Sequence, residues 1–442
     1  MAALCRYMGR MRHLLTIAPT MLLRLPYSLL WVLALPLVLL RLLWRARRQP
    51  DYLGHLGERF ARYPGKVSGR LIWVHAVSVG ETRAAEALVR ALLERWPADH
   101  ILLTHMTPTG RATGAALFAN EARVRAAYLP YDLGILATRF LRHFRPRLGV
   151  IMETELWPNL LAACSREGVP VILANARLSA RSARRYARWP ALSAATLGHL
   201  SAVAAQTAAD AGRLQALGAP AVHLTGNIKF DITPPAAATA LAATFRQHCG
   251  DRAVLLAAST REGEEALILD AFARLAPADC LLALVPRHPQ RFDDVAALAA
   301  ARGLALQRRS AAAAVDPRTR VWLGDSMGEM FAYYGAAGVA LIGGSWLPFG
   351  GQNLIEACAV GTPVILGPHT FNFELVAEQA VDAGAALRAA DVDSGMAAAL
   401  ALLADPARRE AMGNAGRAFA SQHRGASART LALIENVLDG RA

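Results

Sequence analysis

The sequence predicts an α/β protein with two doubly wound, Rossmann-like domains that follow an N-terminal membrane-associated segment. Two observations support this fold class. The chain has 442 residues, which is long for one hydrophobic core. Short apolar runs of strand length alternate with helical patterns from Leu71 to Leu366. Buried strands that are separated by helices are typical of parallel sheets covered on both faces.

The first predicted element is a membrane anchor or interfacial segment at residues 1–50. Its centre, residues 25–40, has no charged side chain and is rich in Leu, Val and Trp. This run is shorter than the roughly 20 residues that a membrane-spanning helix needs. Arginines stand on both sides of it, so the positive charge does not fix an orientation. A single span, a helix in the membrane interface and a buried helix of a soluble domain remain alternatives.

The first Rossmann-like domain is predicted at residues 51–232. Its strand-like runs are short and apolar, and they lie at residues 71–74, 101–103, 148–151 and 171–173. Helical patterns separate these runs, as expected for a parallel sheet with crossover helices.

A linker is predicted at residues 233–250, because Pro234 and Pro235 restrict the backbone and donate no hydrogen bond. The second Rossmann-like domain is predicted at residues 251–442 and ends in helices. Its strand-like runs lie at residues 253–256, 281–285, 321–323, 339–342 and 363–366. The two domains are expected to face each other across a cleft.

The composition indicates an anionic partner and a reducing compartment. The formal net charge is +14 and the pI is near 10.3, which favours a membrane surface, a phosphorylated substrate or nucleic acid. Nucleic acid is the weakest of these, because no stripe of basic and aromatic residues and no known binding module appears. The five cysteines show no C-x-x-C spacing and are expected to be buried and reduced. The sequence therefore predicts a cytoplasmic protein held against the membrane.

A carboxylate follows the first strand-like run, where open sheets bind ligands. Ser78 and Glu81 lie where the chain turns from His75 into a helix. A carboxylate beside an apolar wall can act as a general base, so Glu81 is a candidate catalytic residue. The structural alternative is a capping box, because Ser78 and Glu81 have the S-x-x-E spacing that satisfies N–H groups at a helix start.

Three further candidates lie in the first domain: Glu153 and Arg177 follow other strand-like runs, and Lys229 lies in the segment that closes the domain. Glu153 lies in a segment with a second acid and a tryptophan, and such residues are costly beside a buried strand unless they bind something. Arg177 could hold an anionic group through two hydrogen bonds. Lys229 is one of two lysines among 48 basic residues and could neutralise a phosphate or carboxylate. The alternatives are helix-start acids, a surface ion pair and a chance lysine.

The second domain contains a glycine-rich turn of the kind that approaches phosphates. Gly343-Gly344 and Gly350-Gly351 bracket a loop, and a helix is expected to begin at Gln352. N–H groups at that helix start would face a phosphate, and Glu356 would accept hydrogen bonds from ribose hydroxyls. The alternative is a tight connection in which the glycines serve packing.

Two other loops of this domain are candidates for nucleotide binding. Arg287 follows the run at residues 281–285 and could reach a phosphate. The backbone of residues 324–329 could read the edge of a base. The alternative for this second loop is helix capping by Asp325 or Ser326.

No cofactor and no catalytic divalent ion is expected. The D-x-D motif, Asp391-Val392-Asp393, lies in a polar loop before an alanine-rich helix. We interpret it as a helix cap, because an aspartate before a helix accepts hydrogen bonds from the first N–H groups.

Taken together, these segments resemble the bacterial Kdo transferases of lipopolysaccharide (lipid A-core) biosynthesis, where Kdo is 3-deoxy-D-manno-oct-2-ulosonic acid. The matching segments are residues 75–82, 152–159, 175–181, 226–231, 286–289, 324–329 and 367–373. The resemblance runs in order from the membrane segment to about residue 380.

The resemblance implies a GT-B fold, in which the N-terminal domain binds the acceptor and the C-terminal domain binds the nucleotide. It implies CMP-Kdo as the donor, the lipid A precursor (lipid IVA) as the acceptor, and an inverting transfer on the cytoplasmic side of the inner membrane. The alternatives are a GT-B transferase that uses a UDP-sugar and a non-catalytic, membrane-tethered protein that binds a nucleotide-sugar.

The resemblance also implies roles for individual residues. Glu81 matches the general base, and Glu153 and Lys229 match positions that stabilise the transition state. Arg177 stays a candidate contact to the Kdo carboxylate or the acceptor. The positions that match the CMP site are Pro286, Arg287, Met327, Gly328, Glu329, Asn353, Leu354, Ile355 and Glu356. Gln352 stands where histidine is expected in many relatives, which affects phosphate geometry and leaves the reaction class unchanged.

Overall fold

The computed structural model of the chain describes residues 2–47, 49–65, 69–311 and 313–441, with side chains described from residue 23 onward. The chain forms two compact units. The first comprises Met1–Asp231 and Gly425–Ala442, and the second comprises Ile232–Arg424.

A long helix, α1 (Ala2–Ala46), leads into the first unit. Its part from Leu23 to Ala46 has 24 residues and a mean hydropathy of 1.9, so it is long and apolar enough to cross a bilayer. This part is longer than the uncharged run at residues 25–40, because the apolar residues that follow Arg41 continue the helix.

Helix α1 has one packed face and one exposed face. On the packed face, Trp31, Leu35, Val38 and Leu39 lie against Tyr131 and Leu136 of the first unit. The exposed face is apolar, and its side chains are Leu25, Leu29, Leu30, Val32, Leu33, Leu37, Leu40, Leu43 and Trp44. Residues of the packed face recur every three or four positions, which is the spacing of one side of a helix.

The first unit is a doubly wound α/β domain. Its strands form a parallel sheet with the order β3-β2-β1-β4-β5-β6-β7 among the described residues. The elements that follow α1 are β1 (Arg70–His75), α2 (Val79–Arg95), β2 (Asp99–His105), α3 (Pro108–Leu117), β3 (Val124–Tyr128), α4 (Gly134–Phe144), β4 (Leu148–Met152), α5 (Pro158–Arg166), β5 (Val171–Ala176), α6 (Ala180–Tyr186), α7 (Pro190–Leu197), β6 (Ala202–Ala205), α8 (Ala208–Ala216) and β7 (Val222–Leu224).

The second unit repeats this architecture. Its parallel sheet has the order β10-β11-β9-β8-β12-β13-β14 within the described ranges. The elements are α9 (Ala236–Cys249), β8 (Val254–Thr260), α10 (Glu264–Leu275), β9 (Leu281–Pro286), α11 (Phe292–Ala300), β10 (Leu306–Arg308), β11 (Val321–Leu323), α12 (Met330–Ala336), β12 (Val339–Ile342), α13 (Ile355–Val360), β13 (Val364–Leu366), α14 (Glu374–Asp382), β14 (Ala386–Arg388), α15 (Val392–Leu403) and α16 (Pro406–Gln422). Two doubly wound units confirm the predicted fold class.

The last helix, α17 (Ala426–Leu438), belongs to the first unit, whereas the sequence analysis grouped residues 251–442 into the second domain. The physical reason is a long-range contact. The backbone N–H of Gly425 donates to Asp231 Oδ1 at 2.6 Å, and Leu433 and Ile434 are buried in the core of the first unit.

The predicted linker at residues 233–250 is mostly helical and belongs to the second unit. Residues 231–235 belong to no helix or strand, and α9 follows directly. Phe245 of α9 is fully buried, and its ring packs against Trp322 and Tyr333 with centroid distances of 5.0 and 4.9 Å. Apolar packing therefore makes this segment part of the second core.

Candidate active site

The first sheet reverses its strand order between β1 and β4. The two strands are paired, with His75 opposite Ile151, while β2 and β5 lie on their outer sides. Open α/β sheets bind ligands beyond the carboxyl ends of the strands at such a reversal. Glu81 follows β1 and Glu153 follows β4, so the structure brings these two predicted residues to the same edge.

Glu81 is a half-buried carboxylate in the first turn of α2. Its Oε2 accepts a hydrogen bond from the backbone N–H of Val77 at 2.6 Å, and its Oε1 accepts one from the Ser78 hydroxyl at 3.2 Å. Ser78 makes no side-chain cap on α2. The capping-box alternative is therefore not realised, because the serine does not accept from the helix backbone and Glu81 accepts from the N–H of Val77 in place of that of Ser78.

The surroundings of Glu81 favour its protonated form. Burial raises the pKa of Glu81 to about 7, and the nearby carboxylates of Glu153 and Glu155 add to the increase, against the hydrogen bonds from Val77 and Ser78. Burial also raises the pKa of Glu155, with a further contribution from Glu153. A carboxyl with a pKa near neutrality can accept and release a proton at physiological pH.

Glu153 pairs with Lys229. The Lys229 ammonium donates to Glu153 Oε1 at 2.9 Å, and each side chain is 25% exposed. The backbone of Glu153 is left-handed, with φ of +57°, a conformation that is rare for a residue other than glycine and recurs at active sites. The structure therefore brings together Glu81, Glu153 and Lys229, three of the candidate catalytic residues.

Asn175 holds the segment that carries Lys229, a role that the sequence analysis did not assign. It is fully buried at the end of β5 with φ of +53°. Its Oδ1 accepts from the backbone N–H of Ile228 at 3.0 Å, at the start of the 3-10 helix Ile228–Phe230. Little in the sequence indicated this role, because the burial and the left-handed backbone of Asn175 are seen only in the structure. The partner of Asn175 lies 53 positions away in the chain.

Arg177 lies in the loop after β5, beside the loop that carries Glu153. The hydroxyl of Thr154 donates to the backbone carbonyl of Arg177, which joins the two loops. Arg177 is therefore at the edge of the sheet where it was predicted.

Trp157 connects this loop to helix α1. Its indole N–H donates to Glu155 Oε2 at 3.1 Å, and its ring stacks on Trp31 of α1 with a centroid distance of 6.5 Å. His75 packs edge-on against Trp157 at 6.3 Å. Burial lowers the pKa of His75 to about 3, so this histidine is a neutral packing residue.

Asp132 fixes the start of α5, and the sequence analysis missed it. It is 1% exposed, and its carboxylate accepts from the backbone N–H groups of Asn159 and Leu160 at 3.1 and 2.8 Å. Tyr27 of α1 donates to the same carboxylate at 2.9 Å. Burial raises the pKa of Asp132 to about 6. Helix α1 and the start of α5 therefore share one buried acid.

The second sheet reverses its order between β8 and β12, where Glu264 holds the following loop. Glu264 is fully buried in the first turn of α10. Its carboxylate accepts from four backbone N–H groups, those of Arg261 (2.8 Å), Gly344 (2.7 Å), Trp346 (2.9 Å) and Leu347 (3.3 Å). Four donors offset the cost of burying a charged carboxylate.

The glycine turn differs from the expectation of a phosphate cradle at Gly343-Gly344. The N–H of Gly344 is taken by Glu264, and a Cβ on Gly343 would lie 2.4 Å from the Ser259 carbonyl oxygen. Gly343 therefore serves close packing, which was the structural alternative. Helix α13 begins at Ile355, three residues later than expected, and the Asn353 side chain accepts from its N–H at 3.1 Å.

The positions matched to the CMP site lie at one edge of the second sheet. Pro286 ends β9, residues 327–329 follow β11, and residues 353–356 follow β12 at the start of α13. Because these strands are parallel and in one sheet, their carboxyl ends share an edge. The side chain of Met327 is 52% exposed there.

Two acids near this edge are held by neighbouring side chains. Glu329 accepts from Arg309 at 3.2 Å and from the Ser326 hydroxyl. Glu356 accepts from the Asn353 amide at 3.1 Å.

Asp325 accepts from the Ser310 backbone at 2.8 Å, and no side chain caps α12. The alternative for this loop, capping of the helix by Asp325 or Ser326, is therefore not realised, because both side chains bond elsewhere.

Basic side chains gather after β8 and β9. Burial lowers the pKa of His288, and the positive charges of Arg261 and Arg287 lower it further. The Arg261 guanidinium lies 4.8 Å from the centre of the Phe349 ring. Arg287 was a candidate from the sequence, but Arg261 was not. Arg261 becomes a neighbour of Arg287 only because β8 and β9 are paired.

The D-x-D motif is a helix cap, as predicted. Asp391 Oδ1 accepts from the Ser394 backbone at 2.8 Å and forms a capping box at the start of α15. In the part of the chain that the structure describes, no group of three or more His, Cys, Asp or Glu side chains is arranged to hold a metal ion.

The sequence matches known proteins over both units. Residues 54–232 match the family described as 3-Deoxy-D-manno-octulosonic-acid transferase (kdotransferase), and residues 300–419 match glycosyl transferases group 1. A 3-deoxy-D-manno-octulosonic acid transferase of Bordetella pertussis is 48% identical over 91% of this chain and 96% of its own length. That of Haemophilus influenzae is 37% identical over 93% of this chain and 98% of its own length.

Among solved structures, a glycosyltransferase from Rickettsia africae ESF-5 is similar with a TM-score of 0.56. It is 12% identical and is matched over 85% of this chain and 100% of its own length, so it shows the fold alone.

Two doubly wound units, each with polar residues gathered at the carboxyl edge of its sheet, define a glycosyltransferase of the GT-B type. The extent and identity of the sequence matches specify the protein further. The chain belongs to the 3-deoxy-D-manno-octulosonic acid (Kdo) transferases, which transfer Kdo in lipopolysaccharide biosynthesis.

Proposed function

We propose that this Kdo transferase inverts the sugar centre, uses Glu81 as its general base, takes CMP-Kdo as the donor and takes the lipid A precursor (lipid IVA) as the acceptor. One observation carries the proposal. Glu81 is a half-buried acid at the strand reversal of the first sheet, and its pKa is about 7. Such an acid is suited to proton transfer near neutral pH.

In the proposed step, the acceptor hydroxyl oxygen forms a bond to C2 of Kdo on the side opposite CMP, so the configuration inverts. The hydroxyl proton passes to the carboxylate of Glu81. The bond between C2 and the CMP phosphate oxygen breaks, and CMP leaves with the bonding electron pair. A well-placed general base contributes about 10²–10⁴-fold to such a rate.

The ion pair of Glu153 and Lys229 is proposed to stabilise the transition state. By analogy with glycoside hydrolysis, positive charge develops at C2 as CMP departs, and an ionised Glu153 would stabilise it. The Lys229 ammonium lies 2.9 Å from Glu153, in a region that also holds Glu81 and Glu155. The pair therefore places a carboxylate and its counter-ion beside the acid that is proposed to take the proton.

The second unit is proposed to bind the cytidylate. Arg287, supported by the neighbouring Arg261, is suited to neutralise the donor phosphate, since guanidinium groups bind phosphate oxygens in pairs. The loop at residues 327–329 and the start of α13 at residues 353–356 are proposed to hold the base and ribose. Arg177 is the proposed contact to the Kdo carboxylate or the acceptor. No cofactor takes part in this proposal.

Helix α1 is proposed to lie in the membrane interface. Its packed face runs along the first unit from Arg24, which is 9% exposed, to Ala46, which is also 9% exposed. A helix of this length covers roughly 34 Å, about the thickness of the hydrocarbon core. If it crossed the bilayer, the adjoining surface of the first unit would lie in hydrocarbon, so insertion of only the exposed apolar face is favoured.

The proposed location is the cytoplasmic side of the inner membrane. The net charge of +14 favours an anionic lipid surface. Cys164, Cys249, Cys280 and Cys358 are free and buried, which suits a reducing compartment. Protease protection of the tagged protein in spheroplasts, where only the cytoplasmic side is shielded, would test this orientation.

The central test is transfer by the purified protein in neutral detergent. Mass spectrometry should detect lipid IVA with added Kdo after incubation with CMP-Kdo, and NMR of the product should report the inverted anomeric centre. Glu81→Gln should reduce kcat by about 10²–10⁴-fold. CMP, but not UDP, should still raise its melting temperature.

The matched control is Glu86→Gln on the same helix. Glu86 pairs with Arg90 on the surface, so its loss should leave turnover unchanged. Turnover of Glu81→Gln close to that of the parent would exclude Glu81 as the base. Equal protection by UDP would instead favour a UDP-sugar as the donor.

A further inference from the structure

A pocket lined by arginines lies between helices α1, α4 and α5 of the first unit. Its volume is about 360 Å³, which is within the range of small-ligand sites. Arg24 of α1, Arg139 and Arg142 of α4, and Arg166 of α5 all line it. We call this site the arginine pocket.

The positive charge of the arginine pocket is only partly neutralised. Arg142 pairs with Glu167 at 3.0 Å, and Arg24 interacts electrostatically with Asp132. Arg139 has no hydrogen-bond or ion-pair partner in the described part of the chain. Four guanidinium groups thus face two carboxylates, and one of these carboxylates is Asp132, which already accepts hydrogen bonds from α5 and Tyr27.

The fold holds these like charges close to one another. Arg24 is 9% exposed and interacts with Arg166, although like charges repel. Burial lowers the pKa of the neighbouring His199, and Arg24 and Arg166 lower it further. A cluster of this kind is stabilised when an anion binds.

The rim of the arginine pocket is apolar. Leu25 and Ile135 line the pocket and are 60% and 70% exposed. Leu25 also begins the exposed apolar face of α1 that is proposed to enter the membrane. An anion that carries acyl chains would contact the guanidinium groups and the apolar rim at once.

The arginine pocket also adjoins the loop of the candidate active site. Asn159 lines the pocket and accepts a hydrogen bond from Ser28 of α1 at 3.1 Å. Asn159 is the second residue of α5, which begins directly after the loop that carries Glu153 and Trp157. A headgroup bound at the pocket would therefore present its sugar toward this loop.

We propose that the arginine pocket binds a phosphate monoester of the acceptor glycolipid and so selects phosphorylated over phosphate-free acceptors. This inference rests on the proposed function, because it assigns part of the acceptor to a defined group of side chains. The phosphate would accept charge-assisted hydrogen bonds from the guanidinium groups, and the acyl chains would pass Leu25 and Ile135 toward the bilayer.

The test is equilibrium binding of two acceptor lipids in neutral detergent micelles, one phosphorylated and one enzymatically dephosphorylated. The pocket variant is Arg139→Gln with Arg166→Gln, since both side chains are exposed and their loss should not disturb folding. The control variant is Arg318→Gln with Arg408→Gln, two exposed arginines of the second unit that give the same change in net charge.

We expect the pocket variant to bind the phosphorylated lipid about 10- to 100-fold more weakly than the parent. The dephosphorylated lipid should bind the parent and both variants equally, and the control variant should match the parent throughout. In turnover, KM for the phosphorylated acceptor should rise by a similar factor while kcat changes by less than about twofold.

Equal binding of the phosphorylated lipid by the parent and the pocket variant would overturn the inference. So would a pocket variant that loses adhesion to phosphatidylglycerol vesicles but keeps its affinity for the acceptor in micelles, since the arginines would then serve the membrane surface. Because lipid binding is measured without turnover, a failure of Kdo transfer in the parent would count against the proposed function alone.

Discussion

Glu81 and Glu264 occupy corresponding places in the two units. Each follows the strand at which its sheet reverses order, β1 or β8, and each lies in the first turn of the next helix. Glu81 is half-buried and accepts from one backbone N–H and one hydroxyl. Glu264 is fully buried and accepts from four backbone N–H groups.

The difference shows how one position of a fold can serve structure or chemistry. A buried carboxylate with four N–H donors fixes the loop at residues 344–347. A carboxylate with two donors, near Glu153 and Glu155, instead has a raised pKa. The number of donors and the nearby charges therefore separate the two roles.

The largest expected effect is on stability, and it concerns Glu264. Glu264→Ala leaves four backbone N–H groups without their acceptor, at a cost of about 1–3 kcal/mol for each that stays buried. We expect a loss of at least about 4 kcal/mol, which corresponds to a fall in Tm of roughly 10 °C. Differential scanning calorimetry would measure it, with the exposed neighbour Glu262→Ala as the control.

Glu81→Gln, unlike Glu264→Ala, should not destabilise the protein. The pKa of Glu81 in the folded protein, about 7, exceeds the ordinary value of 4.5, so the folded state holds the proton more tightly than the unfolded state. The folded state therefore loses stability as the pH rises from about 4.5 to about 7. Glutamine mimics the protonated acid, so the variant should be at least as stable as the parent at pH 8. A marked destabilisation there would contradict the comparison.

The next effect concerns the ion pair beside Glu81. Lys229→Met removes the cation that lies 2.9 Å from Glu153 and leaves three acids near one another. We expect kcat to fall about 10- to 100-fold, which corresponds to a loss of about 1.4–2.7 kcal/mol in transition-state stabilisation. Lys229→Arg should retain part of the activity, because its charge remains while its geometry differs. Equal kcat for the parent and Lys229→Met would show that the ion pair of Glu153 and Lys229 takes no part in the mechanism.

A smaller effect is the pH dependence of turnover. A general base must be ionised, and the ionised fraction of Glu81 falls tenfold for each pH unit below its pKa of about 7. We expect kcat/KM to rise with pH up to about 7 and to be level above it. Initial rates in buffers from pH 5 to 9 would measure this. A profile that is level down to pH 5 would show that the raised pKa of Glu81 does not govern turnover.

Much of the fold was predictable from the sequence because central parallel strands are continuous apolar runs. β1, β4, β8 and β12, the strands at the two reversals, all coincide with predicted runs. The strands that the analysis did not predict are short, and most lie at or near a sheet edge: β3, β6, β7, β10 and β14. The hydrophobic pattern and the length of such strands indicate a strand less clearly, since edge strands are less buried.

The candidate site was predictable mainly where its residues follow strands. Glu81 and Glu153 were found in this way, whereas Lys229 was found as one of only two lysines, and the structure brings the three together. Asp132 and Glu264 were missed because all but one of the N–H donors to their carboxylates lie 27 to 83 positions away in the chain. The same reason explains α17, which joins the first unit through Asp231, 194 positions before Gly425.

The smallest expected effect concerns the hydroxyl that donates to Glu81. Ser78 donates to Glu81 Oε1 at 3.2 Å, and this hydrogen bond lowers the pKa of the acid against the larger effect of burial. Ser78→Ala should therefore move the rise in kcat/KM to higher pH by less than about one unit, with the plateau rate changed only a few-fold. Ser193→Ala, a serine that donates to the Tyr186 carbonyl of the same unit, should leave the profile unchanged. A shift to lower pH in Ser78→Ala would mean that the serine stabilises the protonated acid, so Ser78 could not be counted among the donors to Glu81 in the comparison with Glu264.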